Sequence, residues 1–167
     1  AYKADVNKAH PDGWTPLHLA ADYGYGDCID LLLQYKADFN SRNEDGWTAL
    51  HKAAEQGHVE CLEKLLNSGA DLEGANNDGF TSLHVAAFNG HAKCIELLLD
   101  RMAKIDQKDT NGCTPLYWAA SEGQYLCVQV LVERGANPKA VDRDGKTPVE
   151  VAIENGHRST PRLRKCF

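Results

Sequence analysis

One ten-residue phrase recurs along the chain at a constant interval of 33 residues. It reads DGWTPLHLAA at residues 12–21, and it returns as DGWTALHKAA at 45–54, DGFTSLHVAA at 78–87, NGCTPLYWAA at 111–120 and DGKTPVEVAI at 144–153. No insertion or deletion interrupts the interval. A strict period of this length indicates a linear array of similar units, each of which buries its apolar face against its neighbours.

A single unit, such as residues 43–75, predicts two short helices joined by tight turns. Asp45-Gly46 is a strong turn signal, for which we expect positive φ at both residues. Thr48 follows as a helix N-cap, and Gly57 ends the first helix. A second helix then carries apolar residues at helical spacing, and the alanine pair in the first helix lets the next unit stack closely.

These motifs together resemble the ankyrin repeat: the D-G turn, T-P-L-H-x-A-A, G-H, a double leucine and G-A-D recur in phase across residues 2–157. The resemblance implies an all-α ankyrin-repeat solenoid of stacked helix–turn–helix units with β-hairpin loops. It also implies a concave face, formed by the hairpin tips and first helices, and a convex face formed by the second helices. We interpret residues 1–167 as one array, with units at 10–42, 43–75, 76–108, 109–141 and 142–167. Residues 1–9 are the end of a preceding unit, so we expect a fragment of a longer array.

Two second helices depart from the pattern at their ends. Lys36 and Met102 stand where Gly69 and Gly135 end the other second helices. A left-handed backbone at these two residues costs on the order of 1 kcal/mol each. Residues 158–167, RSTPRLRKCF, lack the double leucine and predict either a polar closing unit or the entry into a following segment.

The charge distribution favours a basic partner. The net charge of the chain is −6. Residues 158–167 hold four cations and no acid, so the other 157 residues carry a net charge of −10. An acidic body disfavours nucleic acid, because phosphate contacts need Lys and Arg, and it steers basic partners. The basic RLRK run fits either a solvated chain end or a nuclear-import signal. Without an apolar run of ~18 residues, we expect no membrane insertion.

Four of the six cysteines also follow the 33-residue interval: Cys28, Cys61, Cys94 and Cys127. Equivalent positions in stacked helices lie roughly 8–10 Å apart, whereas a disulfide needs Cα atoms within about 7 Å. We therefore predict four small buried side chains, one in each unit, and a reducing intracellular location, cytoplasmic or nuclear.

The histidines do not indicate catalysis. His18, His51 and His84 occupy the T-x-L-H position, and in the ankyrin family such histidines hydrogen-bond neighbouring loops. Equivalent copies lie too far apart to share a metal ion. The chain shows no nucleophile elbow, phosphate-binding loop or metal-ligand motif. We therefore expect no enzymatic activity, no metal and no cofactor.

Aromatic residues recur at a position that faces the concave side in the ankyrin family. Between the turn glycine and the threonine stand Trp14, Trp47 and Phe80, followed by Cys113 and Lys146. A row of exposed rings indicates a binding surface, although each ring also has the alternative of packing on its own unit. The candidate partner-binding residues are Trp14, Tyr23, Glu44, Trp47, Glu55, Phe80, Phe88, Trp118 and Glu122.

We therefore predict a monomeric, non-catalytic protein–protein interaction module or scaffold, whose partner is a protein or peptide segment with basic and apolar residues. The alternative is the targeting arm of a larger enzyme, such as a methyltransferase, a kinase or a ubiquitin-ligase subunit, with its catalytic part outside residues 1–167. A third possibility is a structural spacer in a long array.

Two narrower hypotheses follow from the resemblance. Phe80, Phe88 and Trp118 with Glu122 resemble a cage for methylated lysine, although Lys52 and Val85 stand where further rings would help. Asn7 and Asn40 resemble the asparagine that an oxygen-dependent hydroxylase modifies in many ankyrin arrays. Hydrogen bonding within the hairpin explains these asparagines equally well.

Overall fold

The computed structural model describes residues 5–157. Nine α-helices and no strands occur within these residues, so the all-α prediction is confirmed and the hairpin loops are turns. The helices are α1 Pro16–Asp22, α2 Gly26–Gln34, α3 Ala49–Gln56, α4 Val59–Asn67, α5 Ser82–Asn89, α6 Ala92–Asp100, α7 Pro115–Ser121, α8 Tyr125–Glu133 and α9 Pro148–Glu154. The predicted closing segment, residues 158–167, lies outside the described residues, as do residues 1–4 of the preceding unit.

The helices form two layers. The first helices of successive units, α1, α3, α5, α7 and α9, pack on one another in that order, and α2, α4, α6 and α8 do the same behind them. The core between the layers contains one buried leucine from each of the first four first helices, together with the alanine pairs and the leucines and isoleucines of the second helices. This arrangement confirms the predicted solenoid of helix–turn–helix units.

Buried histidines connect each of the first three units to the next. Thr48 caps α3, and its backbone N–H donates to Nδ1 of His51 at 3.2 Å. Nε2 therefore carries the ring proton, and it donates to the carbonyl of Phe80 in the next turn at 2.9 Å. His18 and His84 make the same bond to the carbonyls of Trp47 and Cys113. The predicted contact with neighbouring loops is thus confirmed for these three histidines.

The turns differ from the prediction in one respect. Gly46 has a φ of 81°, but the φ of Asp45 is not positive. The only non-glycine residues with positive φ in the described part of the chain are Lys36 and Met102. The N–H of Gly46 donates to the carbonyl of Asn43, and the N–H of Asn43 donates to the carbonyl of Trp47. This pattern fits a three-residue loop in which only the last residue is left-handed, so positive φ at Asp45 was wrong.

The left-handed ends predicted for α2 and α6 are confirmed, because Lys36 and Met102 both have a φ of 68°. The cysteine prediction holds for the buried Cys61, Cys94 and Cys127 but is wrong for Cys28, which is exposed. Each of the later cysteines lies on a second helix that packs on the second helix of the preceding unit, whereas no helix precedes α1 among the described residues.

Candidate functional site

The three aromatic residues that follow the turns lean on their own units and also reach the surface. The ring centroids of Trp14 and His18 lie 5.6 Å apart, edge to face, and the pairs Trp47–His51 and Phe80–His84 have the same separation. All three aromatic rings are half-buried. Packing on the unit and facing outward therefore coexist at each position. Cys113, the next residue in this series, is buried beside Tyr117 and Val151 and does not extend the row of rings.

Lys52 interrupts the row between the first two rings. Its Nζ lies 5.1 Å from the centroid of the Trp14 ring and 5.5 Å from that of Trp47. The same ammonium pairs with Asp22 at 3.1 Å and with Glu55, and only 12% of the Lys52 side chain is exposed. We call this arrangement the Lys52 site. Burial opposes the charge of Lys52, but hydrogen bonds to Glu55 and Asp22 outweigh it and raise its pKa.

A cavity opens one unit further along, between Trp47 and Phe80. Its volume is about 240 Å³. The residues that line this cavity, called here the Val85 cavity, are Trp47, Glu55, Asn76, Asp78, Phe80, Val85, Phe88 and Asn89. The cavity thus combines three aromatic and two acidic residues on the face formed by the turns and the first helices. Four of the nine candidate residues meet in it: Trp47, Glu55, Phe80 and Phe88.

Trp118 closes the far side of this region. The centroid of its ring lies 5.3 Å from that of Phe80 and 5.6 Å from that of Phe88. Its Nε1–H donates to Oδ2 of Asp109 at 2.9 Å, which fixes the orientation of the indole. These contacts leave no space for a cation between Trp118 and either phenylalanine. The predicted methyl-lysine cage of Phe80, Phe88 and Trp118 with Glu122 is therefore not formed.

The remaining candidate residues lie away from the Val85 cavity. Tyr23 is exposed at the end of α1 and stacks on Tyr25. Glu44 is exposed in a turn, and its backbone N–H donates to the carbonyl of Asp12. Glu122 is exposed at the end of α7. Trp14 is separated from the cavity by the Lys52 site. The structure therefore divides the predicted continuous stripe into distinct inter-unit sites.

Asn7 and Asn40 connect adjacent loops. Oδ1 of Asn7 accepts the N–H of Asp38 at 2.8 Å, and Oδ1 of Asn40 accepts the N–H of Asp71 at 2.9 Å. These bonds are the structural role that the sequence offered as the alternative to hydroxylation. Hydroxylation of Asn40 stays a prediction.

Four of the eight residues that line the cavity are absent from the candidate set: Asn76, Asp78, Val85 and Asn89. Asn76 is buried, and its Oδ1 accepts the backbone N–H groups of Asp78 and Phe80, which shapes the turn beneath the cavity. Val85 forms part of the wall, where its short side chain leaves room. The available signal was the register of the repeat, since Val85 lies 33 residues after Lys52 and 33 before Trp118.

The family comparison agrees with this architecture. A family model described as ankyrin repeats in three copies matches residues 1–75, 36–111, 71–142 and 102–163. The chain belongs to the ankyrin-repeat family. Ankyrin repeats generally act as protein–protein interaction modules, and the family is typically non-catalytic. No curated protein matches this ankyrin-repeat chain.

Among residues 5–157, no group of three or more His, Cys, Asp or Glu side chains is arranged to hold a metal ion. No helix in the same part of the chain has the length and hydrophobicity needed to cross a membrane.

Proposed function

We propose that this ankyrin-repeat array is a non-catalytic binding module that holds a segment of a partner protein on its concave face. The observation that carries the proposal is the Val85 cavity, where Trp47, Phe80 and Phe88 lie beside the carboxylates of Glu55 and Asp78. Aromatic residues in partly enclosed pockets are typical of the anchor positions that dominate binding energy in protein interfaces. A volume of about 240 Å³ is sufficient for one large side chain but not for a folded element.

The chemistry of the face determines the chemistry of the partner. The acidic body, with −10 over residues 1–157, attracts a basic segment and repels nucleic-acid phosphates. We therefore propose a peptide or exposed segment in which basic residues alternate with apolar anchors. Three reduced, buried cysteines support an intracellular location, and a monomeric array leaves the concave face accessible.

The same surface serves a second hypothesis, in which the array is the substrate-recruiting arm of a larger enzyme. The exposed aromatic and acidic groups would then bind the substrate or a targeting partner, while catalysis would lie outside residues 1–167. Both hypotheses place binding on the same residues, so one experiment on this face tests their common part.

A peptide-display selection against the purified protein tests the proposal. We expect selected peptides to carry basic and apolar residues, and to compete with one another for one site. The affinity of each peptide for the wild type, for Phe88→Ala and for Leu126→Ala is then measured by fluorescence. Phe88→Ala removes one aromatic ring from the cavity wall. Leu126 is an exposed apolar residue on α8 and provides the matched control on the convex layer.

The expected result is at least roughly tenfold weaker binding to Phe88→Ala and unchanged binding to Leu126→Ala. Thermal melts of the variants establish that each one is folded. Selected peptides that bind both variants as tightly as the wild type would place the interaction elsewhere and overturn the proposal.

A further inference from the structure

Three successive units carry different residues at one position of the repeat, and the space between each unit and the preceding one is occupied differently as a result. The residues are Lys52, Val85 and Trp118, spaced by 33. Lys52 extends its ammonium between Trp14 and Trp47, and Trp118 places its ring against Phe80. The side chain of Val85 is too short to fill the corresponding space, and the cavity lies there.

The surroundings of the Lys52 site and of the Val85 cavity correspond residue by residue. Lys52 contacts four residues: Trp14, Trp47, Asp22 and Glu55. Thirty-three residues later in the sequence stand Trp47, Phe80, Glu55 and Phe88, and all four line the cavity. The cavity therefore occupies the place in which a lysine at position 85 would lie.

Trp118 supports the same correspondence from the following unit. It contacts Phe80 and Phe88, which are the equivalents of the Trp14 and Asp22 that Lys52 contacts in its own preceding unit. Two of three successive inter-unit spaces are thus filled by the chain itself. The space at Val85 is open to an occupant from outside.

We propose that the Val85 cavity binds a lysine side chain of the partner, in the place that Lys52 occupies one unit earlier; this inference rests on the proposed function. The alkyl stem lies between the rings of Trp47 and Phe80. The ammonium meets the carboxylate of Glu55 on one side, and Asp78 supplies a second carboxylate on the cavity wall.

Charge supports a cation in preference to a neutral apolar side chain. Glu55 is shared between the two sites, because its carboxylate pairs with Lys52 and the residue also lines the cavity. Asp78 forms no ion pair with Lys or Arg among the described residues. The cavity therefore retains negative charge beside aromatic faces, which is the combination that attracts an alkylammonium.

The decisive experiment uses two probes that differ in charge and hardly in shape. Nα-acetyl-lysine methylamide and Nα-acetyl-norleucine methylamide are titrated through the millimolar range into ¹⁵N-labelled protein. The three tryptophan indole N–H signals report the sites separately, since Trp14 borders only the Lys52 site and Trp47 borders both. We expect the lysine probe to shift the Trp47 signal, and the norleucine probe to bind roughly tenfold more weakly.

Variants at the shared register position make the test specific. Val85→Lys places the chain's own ammonium in the cavity and is expected to abolish the response of Trp47 to the lysine probe. Lys52→Val empties the first site and is expected to create a new response at Trp14. Leu126→Lys adds the same charge on the convex layer and is expected to leave the titration unchanged. Val85→Met fills the cavity without a charge and is expected to block the probe as well.

Equal binding of both probes overturns the proposal, as does an unchanged Trp47 response in Val85→Lys or Val85→Met, or the absence of a Trp14 response in folded Lys52→Val. The peptides selected for the binding module separate this failure from a failure of the proposed function. Peptides that need Phe88 but tolerate replacement of every lysine by norleucine keep the binding face and remove the lysine site. Peptides that ignore Phe88 remove the binding face itself.

Discussion

Replacing Lys52 by Met tests whether its ammonium stabilises the interface between the first two described helix pairs. Met retains an unbranched stem of similar length, so packing against Trp14 and Trp47 is largely kept while the charge is removed. The carboxylates of Asp22 and Glu55 then face each other without a cation. Their side chains are only 23% and 29% exposed, so water does not fully replace the lost partner.

The magnitude follows from the burial of the three charges. Removing one partner of a fully buried ion pair costs about 3–5 kcal/mol, and a surface pair contributes about 0–1 kcal/mol. The Lys52 site lies between these limits, and Asp22 keeps one hydrogen bond from Gln56. Two cation–π contacts at 5.1 and 5.5 Å add about 0.5–1 kcal/mol each. We expect Lys52→Met to lower the free energy of unfolding by about 2–3 kcal/mol.

Urea unfolding followed by tryptophan fluorescence measures this loss, with Lys64→Met as the control. Lys64 also pairs with two acids, Asp30 and Glu60, but those carboxylates are exposed and the midpoint should hardly change. Because the pKa of Lys52 is raised on folding, its contribution is complete below the ordinary value of 10.5 and is lost only as the pH rises through the folded-state value. The difference between wild type and variant is therefore flat from about pH 7 to 10. Equal effects of the two substitutions would refute the reasoning.

Three further outcomes follow from the structure. Burial lowers the pKa of His51 to about 4 from the ordinary 6.5, so unfolding takes up a proton between these two pH values. Urea titrations should show that the contribution of His51 to the free energy of unfolding is complete above pH 6.5 and falls by about 3 kcal/mol towards pH 4. An unchanged free energy of unfolding at pH 4.5 would contradict this. Met102 is 84% exposed and has a φ of 68°, so Met102→Gly should raise the free energy of unfolding in urea by about 0.5 kcal/mol. Gly135→Met, at the matching position in the next unit, should lower it. In a Cys166→Ser background, Cys28 should react rapidly with a thiol reagent, while Cys94, whose pKa burial raises to about 11, stays protected until unfolding; fast labelling of Cys94 would contradict its burial.

Much of the fold was predictable from the sequence because its determinants are local and repeat in phase. Thr48 and Gly57 stand at the two ends of α3. A threonine precedes every other first helix as well, and a left-handed glycine follows each of them directly or after one further residue. The exposure of Cys28 was not predictable from the repeat, because repetition alone treats every unit as covered by a predecessor. Burial at that position depends on a stacked neighbour, and the first described helix pair has none.

The candidate site was predictable only in part, because its residues act across the interface between units. The recurrence of Trp14, Trp47 and Phe80 follows from the register, but whether the rings are available depends on what the following unit places between them. Lys52 reaches back 38 residues to Trp14, and Trp118 reaches back by the same number to Phe80. A pattern read within one unit does not include this contact.

The three inter-unit spaces differ in a way that gives a regular array one distinctive site. The histidine contacts repeat almost unchanged across the first three interfaces, so they do not distinguish these interfaces from one another. The side chain at the register position of Lys52, Val85 and Trp118 varies in length and charge without disturbing that framework. A short residue at this position opens a space between rings, and the neighbouring acids determine the charge of its occupant. Exchanging Val85 and Lys52 in one double variant should therefore move the lysine-probe response from Trp47 alone to Trp14 as well, with the two-layer stack retained.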